Sequence, residues 1–517
     1  MTRSLIAAHE RVKNLDWETT YVERPVRYET KYRIPAKTKD PFRQLLRDFL
    51  VMEAEKDDRT YGSLLDVLAR TDAVNKADPA FTEALKPLLP AARDGEYYAM
   101  QCMMMLSETV ENSGLRQGYL AQELDEVRHV QSETWLARYY AKHYHDPAGF
   151  NVSARTREWN PFLMPIKAGL STFASNDPIV NCLNLQVVAE TAYTNPLFVA
   201  LTEVAARSGD TVLPSLFLSI QSDEGRHMAN GYATLAAVLA DDRNLEFLQQ
   251  DLEEAFWRQH RPLDTLLGIV FDYYRDRNVP TKSYREYWDD WIWHDYAGSY
   301  LGKLEKFGLR QPGCIAQARQ DVHWLGHTGA LFLYALWPLC FWRASPVPED
   351  SFGWYEDHYP GWYAYFGPFW EDAVAKADPA NRSLALEAFP EIPPLCRVCL
   401  LPSALPRVDL AEIHLEWDGE RNHSFCSVIC RDMYHRNPEL YRDHTNFGER
   451  FHGWDLADVI VEMGLLRPDG RTLIGQPSLD LEKMWTIDDI RAIGWEVKYP
   501  LAERIPYRLG HADEVPA

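Results

Sequence analysis

No uninterrupted apolar stretch in the 517 residues is long enough to span a bilayer. No basic and apolar leader opens the chain: Met1-Thr2-Arg3-Ser4 runs quickly into His9-Glu10-Arg11. Both absences predict a cytoplasmic protein. Positive charge is short, with 54 Lys+Arg against 76 Asp+Glu and a net charge of −22. Phosphate binding needs a basic surface, so nucleic acid is excluded as a partner. Cysteine is sparse: 8 in a chain of this size do not make a disulfide framework. There is no flavin or nicotinamide fingerprint and no ferredoxin-type cysteine run. Electrons for any redox reaction must therefore come from another protein. No solenoid-length repeat is found either.

The chain does carry two half-sites with the same order. The first is Glu96 followed by Asp125-Glu126-Val127-Arg128-His129. The second is Glu190 followed by Asp223-Glu224-Gly225-Arg226-His227. A helix turns once in about 3.6 residues, so Glu126 and His129 share a face, as do Glu224 and His227. One Glu from each of two helices plus one Glu-x-x-His from each of two more is the ligand set of a di-iron or di-manganese carboxylate bundle. A lone Glu-x-x-His is usually a solvated helix face. Here both halves are present, and the flanks Met100–Leu106 and Leu183–Ala189 are apolar or amide-rich. Charges in such surroundings are expensive unless paired or metal-bound. The expected metal ligands are Glu96, Glu126, His129, Glu190, Glu224 and His227. Asp125 and Asp223 are placed to hydrogen-bond the outer histidine nitrogens, and Arg128 and Arg226 to pair with those aspartates.

These residues lie in segments that resemble a known family. GEYYAM (Gly95–Met100), GYLAQELDEVRH (Gly118–His129), KHYHDPAGF (Lys142–Phe150), NLQVVAETAYTNPL (Asn184–Leu197) and SDEGRHMANGY (Ser222–Tyr232) are similar to the hydroxylase alpha subunit of soluble bacterial multicomponent di-iron monooxygenases. Ala255-Phe256-Trp257, Tyr359-Pro360-Gly361-Trp362, Asp469–Ser478 and Trp485–Gly494 extend the resemblance. It is nearest the methane-, alkane- and alkene-oxidising branches.

The resemblance implies the same six iron ligands and places Asp125 and Asp223 behind the histidines. It also implies a role for Thr194 near the oxygen-binding face. Thr194 lies one turn after Glu190, although its hydroxyl could simply bond back to a carbonyl one turn earlier. Glu133, one turn after His129, departs from the cysteine or glutamine of the relatives. It either makes the pocket more polar, acts as an acid, or pairs with a cation. Ala92 and Gly169 are small where bulk is expected, which points to a pocket roomier than methane needs.

The expected fold is mainly α. It is a ferritin-like di-iron carboxylate helix bundle with a smaller C-terminal α+β region. The pattern divides into an N-terminal arm (1–60), a di-iron helical domain (61–390), a Cys-rich module (391–445) and a C-terminal region (446–517). Asn195-Pro196 predicts an irregular helix just past Thr194. Aromatic belts at Tyr284–Tyr300 and Phe352–Trp370 mean either thick internal packing or, as the resemblance favours, a subunit interface. Cys396, Cys399, Cys426 and Cys430 form two thiol pairs that could hold a structural zinc ion; packed reduced thiols are the alternative. Cys102, Cys182, Cys314 and Cys340 read as core.

The expected function is the oxygenase component of a multicomponent monooxygenase. It inserts one atom of O2 into small hydrocarbons, turning short alkanes to alcohols or alkenes to epoxides. Phenols or small ketones are alternative substrates. A ferroxidase or iron-storage protein is a further alternative, and a radical-generating subunit another; that last would need a redox-active tyrosine, and Tyr193 reads as off the ligand face. The resemblance implies a second hydroxylase subunit, a small coupling protein and an NAD(P)H-dependent reductase as partners.

Overall fold

The computed structural model describes residues 28–38, 46–64, 68, 70–144, 150, 163–174, 177–275, 277, 280–336, 351–376, 394–403, 414–444 and 446–451. Cys340, residues 1–27 of the arm and residues 452–517 of the C-terminal region lie outside them.

Long helices carry the fold. α1 is Leu46–Asp57, α2 Pro79–Thr109 and α3 Ser113–His143. A π-helical segment, Leu183–Thr194, runs into α4, Asn195–Arg207. α5 is Val212–Val238, α6 Leu245–Gly268 and α7 Ile315–Leu336. A three-residue link folds α3 back along α2, and Asn112 caps α3 by accepting from the amides of Gly114 and Leu115. α5 packs on α3, on α4 and on the π-helical segment, and α6 closes the far side of that segment.

The inward seam of α3 is Leu115, Tyr119, Gln122, Glu126, His129, Glu133, Leu136 and Tyr140, all buried. The seam of α5 is Leu213, Phe217, Ile220, Glu224, His227, Gly231, Thr234 and Val238, also buried. Both step alternately by four and three residues, the spacing that keeps one face toward a partner helix. Each seam is apolar at its ends and polar in the middle. Burial at the ends thus holds charged groups together at the centre, where alone they would repel water-free packing.

Two close approaches need glycine. A Cβ on Gly231 would meet Gln186 Cβ at 2.8 Å, so α5 can lie against the π-helical segment only without a side chain there. Gly268 and Gly326 place α6 and α7 in similar contact, with a Cβ on either 2.8 Å from the other's Cα.

The aromatic belts are part internal and part exposed, Tyr363 and Tyr365 being 43% exposed. Trp288, Trp362 and Trp370 are at most 1% exposed within this single chain, so they serve its own core rather than a subunit surface. Beyond them, β1 (His414–Trp417) and β2 (Asn422–Phe425) pair antiparallel, His414 opposite Phe425. α8, Val428–Arg436, follows, with Ser427 accepting from the Cys430 amide at its start. No helix among the described residues is long and apolar enough to cross a membrane.

Candidate metal centre and adjoining cavity

α2, α3, the π-helical segment and α5 bring Glu96, Glu126, His129, Glu190, Glu224 and His227 into one buried cluster. Donor atoms of Glu96, Glu126 and His129 lie within 4.8 Å of one another, and so do those of Glu126, Glu190 and His227. His129 Nδ1 is 3.5 Å from Glu96, 3.4 Å from Glu126 and 3.8 Å from Glu224. His227 Nδ1 is 3.4 Å from Glu126, 3.6 Å from Glu190 and 3.7 Å from Glu224. Two half-sites result: His129 with Glu96, and His227 with Glu190. Glu126 and Glu224 span both.

The inner atoms suit cations. His129 Nδ1, His227 Nδ1, Glu126 Oε2, Glu190 Oε2 and Glu224 Oε2 are buried without a hydrogen-bond partner among the described residues. Orphaned polar atoms on this scale are costly unless an ion fills the space between them. The donor set is oxygen-rich with two imidazoles, which fits iron or manganese better than a soft thiophilic ion. The carboxyl groups respond to crowding. Burial pushes Glu190 up to about 7 against the lowering pull of His227. Burial also raises Glu126 and Glu224. For Glu96 burial acts upward too, but hydrogen bonding and charge from His129 outweigh it and the carboxyl is lowered. His227 is raised: burial disfavours its charge, and Glu126 and Glu224 overcome that.

The outer histidine nitrogens are held crosswise. His129 Nε2 lies 3.1 Å from Asp223 Oδ2, and His227 Nε2 lies 3.2 Å from Asp125 Oδ2. Each aspartate thus serves the histidine of the other motif. The arginines tie the two motifs together: Arg128 pairs with Asp223 of the other motif, while Arg226 donates to Asp125 of the other at 2.9 Å and to Asp223 of its own at 2.6 Å. Burial opposes the Asp125 charge, but His227 and Arg226 hold its carboxyl down at about 2.

Sequence reading missed four members. Glu53 and Lys56 reach in from α1: Glu53 bonds Arg226 at 2.9 Å, and Lys56 pairs with Glu53 and Asp223. Nothing local marks them. Gln122 donates to Glu126 at 2.9 Å and to Glu190 at 2.8 Å, and accepts from Gln186 at 2.6 Å. Both glutamines sit four residues before a cluster glutamate, a helical-face signal that was readable.

Beside the cluster lies an apolar cavity of about 80 Å³. Its wall includes Ala92, Leu170, Phe173, Phe198, Phe217 and Leu266, with Glu96, Glu190 and Glu224 at the polar end. Ala92 and Thr194 line it, as their register suggested. The Thr194 hydroxyl donates to the Ala189 carbonyl at 3.1 Å, a bond back across the widened turn of the π-helical segment. Gly169 does not line it. It lies in the neighbouring crevice near Pro262 and Trp257, and its missing Cβ answers to Pro262 Cγ, 2.9 Å away. Its small size therefore serves helix packing, not substrate room. Glu133 is buried near the cluster, with both carboxyl oxygens unpartnered among the described residues. Burial and then the charge of Glu96 raise its pKa, against Arg93.

The family model described as Methane/Phenol/Alkene Hydroxylase matches residues 17–242. The methane monooxygenase component A alpha chain of Methylococcus capsulatus is 36% identical over 502 residues, 95% of this chain and 94% of that one. This chain belongs to that hydroxylase family. It is the oxygenase subunit of a monooxygenase. The large subunit of the hydroxylase component of propane 2-monooxygenase from Gordonia sp. is 37% identical over 514 residues, 95% of this chain and 93% of that one. The solved phenol hydroxylase of Pseudomonas sp. OX1 has the same fold, with a TM-score of 0.75 and 23% identity over 88% of this chain and 94% of that chain.

The second candidate metal group of the family member lies away from the cavity. The thiols of Cys396, Cys399, Cys426 and Cys430 lie within 4.8 Å of one another. Trp257 Nε1 donates to Cys430 Sγ at 3.2 Å, and the buried Arg261 charge acts on Cys399, Cys426 and Cys430. His423 and His435 stand apart, paired with Asp418 and Glu416.

Proposed function

We propose that this oxygenase subunit binds two iron ions through Glu96, Glu126, His129, Glu190, Glu224 and His227 and hydroxylates or epoxidises a small hydrocarbon in the adjoining cavity. The observation that carries this is the set of orphaned ligand atoms facing one another at the end of an apolar cavity. When bound, the metal pair supplies reductive activation of O2.

The chain supplies the rest. Asp125 and Asp223 fix the histidine tautomer with Nδ1 inward. Apolar walls exclude water and orient a substrate without polar handles. Thr194 offers a hydroxyl at the cavity that can turn from the Ala189 carbonyl and donate into the cavity. Burial raises the Glu133 carboxyl beside the same cluster, which favours its protonated form and makes it the candidate acid there. Electrons arrive through a separate reductase, and the exposed surface carries a second subunit and a coupling protein.

Cavity size ranks the substrates. An apolar cavity of about 150 Å³ admits benzene. One of about 80 Å³ suits a chain of a few carbons better than a phenol. We also assign a structural zinc ion to the four thiols, whose thiolate charge Arg261 would offset.

The test is a product assay on iron-loaded chain with its partner subunit, driven by hydrogen peroxide, with propane, propene and phenol. Propanol or epoxypropane, absent with Glu224→Ala, supports the reading. Two irons bound with phenol the only compound oxidised refutes the small-hydrocarbon assignment. One zinc per chain by elemental analysis, lost in Cys399→Ser with iron retained, supports the thiol site; no zinc in the intact protein removes it.

A further inference from the structure

Tyr193 sits three residues after Glu190 and lines the same cavity, yet its hydroxyl points away from the cluster. It donates to Asp264 Oδ2 at 3.3 Å. Asp264 is 1% exposed and accepts three more donors. Tyr284 donates to its other oxygen, Oδ1; Trp288 Nε1 donates to Oδ2 at 3.1 Å; and His260 Nδ1 donates to Oδ2. Tyr193, Tyr284 and Trp288 are each 1% exposed. Three oxidisable rings thus share one buried carboxylate, and one of the three borders the cavity. The rings continue outward. Tyr284 is 6.3 Å from Trp291, and Trp291 is 4.9 Å from Tyr287, centroid to centroid. Trp291 and Tyr287 are partly exposed.

Packing alone does not require this. A phenylalanine at 193 would fill the same space without placing a hydroxyl in an apolar wall, where each polar group needs a partner. A phenol with a fixed proton acceptor is what one-electron oxidation of tyrosine needs, because the phenol must lose its proton as it loses its electron.

We propose that Tyr193 and Tyr284, exchanging a proton through Asp264, form a relay that carries oxidising equivalents away from the metal pair when no substrate is bound. The inference rests on the oxygenase reading above. In the first step Tyr193 gives up one electron toward the metal pair, which O2 would have oxidised, and its phenol proton passes to Asp264 Oδ2. A neutral phenoxyl remains. In the second step Tyr284 gives an electron to that phenoxyl. Asp264 returns the first proton to Tyr193 from Oδ2 and takes the Tyr284 proton on Oδ1. Trp291 then gives an electron to the Tyr284 phenoxyl, which takes its proton back from Asp264 Oδ1; Tyr287 refills Trp291 and releases its phenol proton to solvent; a dissolved thiol gives the Tyr287 phenoxyl one electron and one proton. The device protects the cavity walls from their own oxidant.

The experiment uses the iron-loaded chain with its partner subunit, chemically reduced and mixed with O2 without substrate. Rapid-freeze EPR follows radicals, and Mössbauer spectra follow the iron in the same samples. The expected result is a phenoxyl signal that changes with ring-deuterated tyrosine. It should fall at least tenfold in Tyr193→Phe with iron content unchanged, and Asp264→Asn should slow its appearance. Tyr284→Phe should prolong it. Iron that oxidises normally with no phenoxyl signal, or an equal signal in Tyr193→Phe, overturns the relay and leaves the oxygenase reading standing. Iron that is not bound, or stays ferrous in O2, overturns both.

Discussion

Replacing Asp125 with asparagine separates the two half-sites. The substitution keeps the shape and a carbonyl acceptor for His227 Nε2 but removes the charge 3.2 Å from it. Arg226 keeps Asp223 at 2.6 Å and Glu53 at 2.9 Å, so no cation is stranded. Partners that orient a ligand histidine are typically worth about 10- to 100-fold in metal affinity, or about 1.4–2.7 kcal/mol. The amide still accepts a hydrogen bond, which places the expectation toward the lower end. The effect should fall on one metal. His129 is held by Asp223, which the substitution does not touch. Anaerobic Fe(II) titration by equilibrium dialysis should show two binding steps in the intact protein. In Asp125→Asn one step should weaken by about tenfold or more while the other stays within about threefold. The Asp125 carboxyl is held down at about 2 by His227 and Arg226, so it stays charged between pH 6 and 8. Equal weakening of both steps, or of neither, would refute crosswise support of the histidines.

Three further outcomes are expected. Gly231→Ala drives a methyl to 2.8 Å from Gln186 Cβ, with the Gln186 backbone close behind, and should cost about 1–3 kcal/mol in denaturant unfolding. Ala92→Phe should fill much of the cavity, so propane turnover should fall at least tenfold, on the order of the loss expected when a substrate no longer fits, while iron content holds. Asp272 is buried and raised to about 7, burial outweighing the hydrogen bonds from Tyr359 and the Tyr284 amide. A raised acid binds its proton more tightly folded than unfolded. Its contribution is therefore full below about pH 4 and is lost as pH rises through about 7, by up to about 4 kcal/mol. The Tm advantage of the intact protein over Asp272→Asn should shrink across that window; a constant difference would contradict the assignment.

The comparison of sequence and structure turns on spacing. Glu126 with His129 and Glu224 with His227 were legible because a helix fixes what lies one turn apart. The polar middle of an otherwise apolar seam was legible for the same reason, and Gln122 and Gln186 should have been read with it. The irregular turn near Thr194 was signalled by Asn195-Pro196, although the structure puts the widened turn before the proline rather than at it. Which aspartate serves which histidine was not legible. That depends on how α3 and α5 face each other: the Asp and His of one motif are four residues apart on one helix, yet each His reaches the Asp of the other helix. Glu53 and Lys56 come from a separate helix with no motif of its own. Gly169 misled because smallness can serve a cavity or a close helix contact, and only packing against Pro262 distinguishes them. The sequence by itself determined the residue types of the buried cluster, their order and the helical bundle, since these follow from local periodicity and side-chain chemistry. Only the tertiary structure decided the crosswise hydrogen bonds, the volume of the cavity and the gathering of Tyr193, Tyr284 and Trp288 on Asp264, because each depends on distances between segments far apart in the chain.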